Sequence, residues 1–230
     1  MRENEREIQR GVAGNSMRDC GLSTRDKELL LIVWKWRYIS ARHIMVLAKF
    51  PSLRTTDRRL KVLIENKLLE RKKHLYGVPY LYTISHKGRM LIGVNKRADT
   101  VRLDRIKHDF LVLDTAIFLM KQQHIDIEHI STEKELHIQD GYSARRHRPD
   151  FLIKKDNQTI AVEIELSLKE RTRLEKNIRE NYLNYDSQIW VVNYEDLRVY
   201  RAVNSFKSEY TNMYLLNKKE VEEYSRKYTN

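Results

Sequence analysis

The chain has 230 residues, enough for two small domains each with a core of its own. Forty-four Lys and Arg against 32 Asp and Glu leave a formal charge of +12 and a pI near 9.6, a balance that favours a polyanionic partner, nucleic acid first. One cysteine, Cys20, excludes an intrachain disulfide, no run is apolar enough for a transmembrane helix, and Met1-Arg2-Glu3-Asn4-Glu5 lacks a signal peptide's apolar core, so a cytoplasmic protein with no membrane partner is expected.

Residues 1–22 are polar, contain Gly11, Gly14 and Gly21, and read as a flexible arm. Ser23 or Thr24 caps a predicted helix reaching about Arg37, with Leu29, Leu30, Ile32, Val33 and Trp36 on its apolar side. Ser40 offers a second cap, for a short helix over Ala41 to Lys49. Pro51-Ser52 breaks the chain before a third helix from about Leu53 to Asn66. Two strand-like runs follow, Leu68 to Lys73 and Tyr80 to Ile84, around Tyr76-Gly77-Val78-Pro79, and a short helix is predicted near Lys87 to Leu91. Three helices and a β-hairpin describe a winged helix-turn-helix, placed over residues 23–100.

Helical geometry picks out the residues of the third helix that face outward. With Thr56, Leu60, Leu63 and Ile64 as the buried stripe, a step of about 100° per residue puts Arg54, Thr55, Arg58 and Lys61 on or near the opposite face. Arg suits guanine edges or phosphate, and Thr suits phosphate or a thymine methyl. Lys72 and Lys73 fall on the wing, where a phosphate backbone would pass. Residues 53 to 74 carry eight Lys and Arg against three acids, so the charge gathers where double-stranded DNA would dock. A winged helix used for protein contacts, with a solvated basic face, is the competing reading.

The second domain is placed over 101–230. Arg105 to Gln123 reads as an amphipathic helix with Ile106, Phe110, Leu113, Ile117 and Met120 at helical spacing. Strands are predicted near Ile125 to Ile127 and Glu135 to Ile138, then a hairpin, a helix from Leu168 to about Tyr185 opened by a Ser167/Glu170 capping box, and a strand over Gln188 to Val192. Lys218 to Tyr228 reads as a final surface helix. The His108-Asp109 dipeptide on the long helix is expected to be a helix-surface pair, the alternative being that Asp109 faces the acidic patch of the hairpin. No Cys-x₂-Cys, no His-x₃-His and no Gly-x₄-Gly-Lys loop occurs, which argues against a structural zinc site and against ATP or GTP chemistry.

The hairpin holds the chemistry. Phe151-Leu152-Ile153 and Thr159 to Leu166 flank Asp156-Asn157, a dipeptide suited to the positive φ angles of a two-residue turn. If Lys155 pairs with Gln158, Asp150 falls opposite Glu163, with Glu165 on the same face roughly 7 Å further along. The other face carries Phe151, Ile153, Ile160, Val162 and Ile164. Three carboxylates on one patch call for a cation, and Mg²⁺ or Mn²⁺ is the expected one, held by Asp150, Glu163 and Glu165. The plainer alternative is a solvated strand face.

Pro149-Asp150, about a dozen residues, then Glu163-Ile164-Glu165 resembles the PD-(D/E)xK nuclease motif, with Glu165 where that motif usually has lysine. The element order helix, three strands, helix, strand is similar to the core of that class. The resulting expectation is an α/β (α+β) chain, a winged helix-turn-helix followed by a PD-(D/E)xK-like αβββαβ domain. Together with Glu163-x-Glu165-x-Ser167 entering a helix and a Tyr further along, the chain resembles the replication-relaxation family of plasmids and integrative elements over roughly residues 24 to 195. That resemblance implies a DNA-binding accessory in the replication or conjugative mobilisation of a mobile genetic element. It also implies a relaxase or replication protein as partner; separately, a homodimer is expected. The alternative is a Mg²⁺-dependent endonuclease with Asp150, Glu163 and Glu165 as catalytic residues.

Overall fold

The computed structural model describes residues 22–74, 76–94, 100–141, 147–168 and 170–227, so the arm expected over 1–22 lies outside the described residues except for its last one. The protein mixes helices and sheets, in two compact units, Met1–Thr100 and Val101–Asn230. Among the described residues no helix is long and apolar enough to cross a membrane.

The first unit has helices α1 (Thr24–Lys35), α2 (Ala41–Leu47), α3 (Leu53–Glu65) and α4 (His86–Leu91), and strands β1 (Tyr38–Ile39), β2 (Leu69–Lys72) and β3 (Leu81–Ile84). Ser23, Ser40, Ser52 and Ser85 occupy the four N-cap positions, and the Ser52 and Ser85 side chains accept from the helical N–H groups of Thr55 and Gly88. The first helix stops at Lys35, two residues before the expected Arg37, because Arg37 takes a left-handed φ of 63° and turns the chain into β1. That two-residue strand pairs antiparallel with β3, giving a sheet ordered β1-β3-β2. The core gathers Leu29, Leu30 and Val33 of α1, Ile44 of α2, Leu60 and Leu63 of α3, and Leu81 of β3.

Two contacts tie the elements of this unit together. Arg59 of α3 donates through Nε and Nη2 to the buried carboxylate of Asp26 on α1. Burial pushes the Asp26 carboxyl up, but the bonds from Arg59 and Ser23 outweigh it and leave it below the ordinary carboxylate value. At the other end, Ser85 Oγ donates to Lys67 O at 2.6 Å and accepts from Gly88 N–H at 2.9 Å. Gly88 has to be glycine there, since a Cβ would stand 2.3 Å from the backbone oxygen of Leu68.

The second unit builds on a five-stranded sheet ordered β4-β5-β6-β7-β8, with β4 (Ile130–Thr132), β5 (Phe151–Lys155), β6 (Gln158–Glu165), β7 (Ser187–Val192) and β8 (Met213–Asn217). β4, β5 and β6 run antiparallel, while β7 and β8 continue parallel from β6. Its helices are α5 (Ile106–Gln123), α6 (Glu133–Gln139), α7 (Arg171–Asn184), α8 (Leu197–Asn204) and α9 (Lys218–Arg226). Leu174 and Ile178 of α7 and Val199 and Val203 of α8 pack with Trp190, Val192 and Met213 of the sheet. Phe118 of α5 meets Tyr224 of α9 edge to face, ring centroids 5.3 Å apart.

Three expectations for this unit need correction. The segment Glu135 to Ile138 is helix, not strand, because Thr132 and Glu135 form a capping box in which Thr132 N–H donates to Glu135 Oε2 at 2.8 Å. The strand expected near Ile125 to Ile127 lies later, at Ile130–Thr132, after a 3₁₀ turn over Ile127–His129. Helix α7 opens at Arg171 with Glu170 as N-cap and no side-chain cap bond, so Ser167 and Glu170 do not form the expected box. Strand β6 runs on to Glu165.

Candidate functional site

In the first unit, α3 follows the expected stripe. Thr56, Leu60 and Leu63 are buried and Ile64 half-buried, while Arg54, Thr55, Arg58 and Lys61 are exposed. Thr55 also serves the helix start, its N–H donating to Ser52 Oγ at 3.2 Å. Lys61 lies 3.9 Å from Glu65 and Lys72 2.8 Å from Glu70, exposed pairs of the kind that salt and competing anions readily open. α3 packs beside β2, the strand that ends at Lys72, with Lys73 just after it.

Arg71 was not singled out in the sequence, yet it is exposed and held in place. Its guanidinium stacks 4.4 Å from the centre of the Tyr80 ring. The register sets it opposite the buried Tyr82 across the ladder. The run Arg71-Lys72-Lys73, followed by Tyr76, Tyr80 and Tyr82, was the available signal. Charge divides between the units in the same sense. Residues 1–100 carry 22 Lys and Arg against 10 Asp and Glu, whereas residues 101–230 carry 22 against 22, so the whole +12 resides in the first unit.

In the second unit the hairpin register is the expected one. Asp156 and Asn157 take φ angles of 49° and 63°, and Lys155 pairs with Gln158. Parallel pairing sets Glu163 beside Trp190 and Glu165 beside Val192, so both glutamates sit on the sheet face that α7 covers. That face is not solvated: Glu163 is 4 % and Glu165 2 % exposed. It also packs further along, where Leu152 and Ala161 meet Leu136 of α6 and Tyr185. The sheet therefore buries both faces, as its parallel half requires.

Two of the three carboxylates, Glu163 and Asp150, are answered by the protein's own groups. Glu163 Oε1 is hydrogen-bonded to His147 Nε2 and accepts from Asn181 Nδ2 of α7 at 3.0 Å. Burial pushes the Glu163 carboxyl up, His147 and Asn181 pull it down, and the charge of Asp150 adds to the rise. Asp150 Oδ2 accepts from the backbone N–H of Ile164 at 2.8 Å and lies 3.5 Å from His108 Nε2. His108 Nδ1 in turn lies 3.1 Å from Asp109 Oδ1. The His108-Asp109 pair is thus no mere surface pair, because it closes on Asp150.

Among the described residues, no group of three or more His, Cys, Asp or Glu side chains is placed to hold a metal ion. Of the three carboxylates expected to hold a metal, Asp150 meets the Ile164 amide and His108, and Glu163 meets His147 and Asn181. Scanned against protein-family models, curated proteins and solved structures, the chain finds no match.

Proposed function

We propose that this chain is a double-stranded-DNA-binding protein whose first unit acts as a winged helix-turn-helix. On this reading α3 enters the major groove with Arg54, Arg58 and Lys61 toward base edges and phosphates, while Lys72 and Lys73 follow the backbone from the wing. The observation that carries it is the confinement of the whole +12 to the unit that exposes those side chains on one helix. The second unit, read as a divergent PD-(D/E)xK-type domain with Asp150 and Glu163 met by His108, His147 and Asn181, serves as a scaffold or a protein contact. A cytoplasmic accessory in the replication or mobilisation of a mobile element, working beside a relaxase, is the role this combination suits.

Footprinting the protein on the DNA of its own genetic element tests the reading. A discrete protected site is expected, and Arg58→Ala should lower affinity there and cost about 1–3 kcal/mol of discrimination against mismatched sites. Unchanged affinity and specificity in a folded Arg58→Ala protein would remove α3 from the interface. A second reading, a Mg²⁺- or Mn²⁺-dependent endonuclease through Asp150, Glu163 and Glu165, keeps one observation in its favour: Glu163 and Glu165 share a sheet face. Nicking of supercoiled plasmid that depends on the added ion and on Glu163 would establish it, and intact plasmid under saturating protein would leave the scaffold role.

A further inference from the structure

We infer that the wing carries a stacking site for an unpaired nucleobase, so that the protein prefers DNA whose duplex is locally opened. The inference rests on the DNA-binding reading above and adds the state of the DNA that is recognised. It starts from Tyr76, at the turn between β2 and β3, whose side chain is fully exposed. Gly77 follows it with a φ of +75°, a turn conformation that favours glycine, and a Cβ built there would meet nothing within 4 Å, so the tip is open on that side.

The surroundings of the ring decide what it suits. Lys73 places its ammonium 6.0 Å from the Tyr76 ring centre and 5.6 Å from that of Tyr80, and Arg71 covers Tyr80 at 4.4 Å. Tyr80 itself remains 44 % exposed. A cation set beside two aromatic faces, with the further cation of Arg71 alongside, fits a nucleotide: the base takes a π-face and the phosphate takes a cation. Within an intact duplex every base face is covered by its neighbours. The Tyr76 ring finds a free base only at a bubble, a fork or a flipped nucleotide, where the cost of unstacking is already met.

The test uses the full-length protein and two labelled DNAs of one sequence, an intact duplex and the same duplex with a short unpaired bubble containing 2-aminopurine. Tighter binding to the bubble is expected, with a change in 2-aminopurine fluorescence on binding. Tyr76→Ala should lower bubble affinity roughly 5- to 100-fold, the range set by loss of one base–aromatic stack, and lower duplex affinity far less. Tyr76→Trp should retain the preference and the fluorescence change. Because the Tyr76 ring contacts water, these variants do not threaten the fold. Equal binding of duplex and bubble by the wild type, or a bubble preference that survives Tyr76→Ala, overturns the inference while leaving duplex binding in place. Failure of the wild type to bind either DNA overturns the DNA-binding reading and this one together.

Discussion

His108 shows how single residues settle the charge balance of the second unit. Burial alone would lower its pKa, but Asp109 on one ring nitrogen and Asp150 on the other push it up to about 10. The folded value lies above the ordinary 6.5, so the native state holds a proton that the unfolded chain releases first. The stability this provides is complete below about pH 6.5 and is lost as pH rises through about 10. Urea unfolding of the wild type should therefore show falling stability across that window, and His108→Gln should be less stable at pH 6 with a flatter profile. A wild-type slope that persists in His108→Gln would assign it elsewhere. Asp26 has the opposite sign: its carboxyl lies below the ordinary value, so its contribution is lost only as the solution becomes strongly acidic. Neither partner was legible beforehand. His108 and Asp150 are far apart in the chain, as are Asp26 and Arg59, and no local pattern announces which distant charge a residue will meet.

Among the elements, those with strong local signals were the ones legible in advance. Serine caps and apolar periodicity placed α1 to α4 to within about two residues, and Asp156-Asn157 fixed the hairpin register. Thr132-x-x-Glu135 was an equally good helix signal, outweighed in the reading by Leu136 and Ile138, whose alternation mimics a strand. Strand β1 escaped because two residues carry no periodicity at all. The site failed at a different level. The register correctly set Glu163 and Glu165 on one face, but register says nothing about which helix covers that face or which side chains the helix brings. At this scale Gly88 gives the sharpest prediction. A methyl group at that position would press 2.3 Å from Leu68 O and 2.9 Å from Ile84 Cγ1, and the first is backbone that cannot step aside. Gly88→Ala should destabilise the first unit by about 1–3 kcal/mol, read as a lowered urea midpoint, or by more if α4 is displaced. A midpoint equal to the wild type's would mean that α4 is not seated on the Leu68 carbonyl.

Over the whole molecule, the separation of charge assigns long-range work to one unit. Residues 101–230 are formally neutral, so they add little to the attraction of a polyanion, and binding that falls with salt should be governed by residues 1–100. Lys72→Ala and Lys73→Ala should each reduce the slope of log affinity against log salt by about 0.9, whereas Lys176→Ala and Lys207→Ala should leave it unchanged. Equal effects from the two sets would place the DNA across both units. The mixed sheet carries a consequence of another kind, for the chain as it is made. β4, β5 and β6 assemble from neighbouring residues, but the second edge of β6 is closed only by β7, whose residues follow the whole of α7. A nascent chain halted between Glu165 and Ser187 therefore exposes a strand edge flanked by Val162 and Ile164, with nothing yet synthesised to pair it. Products terminated in that interval are the ones expected to aggregate or to be handed to chaperones, whereas chains a few turns longer seal themselves.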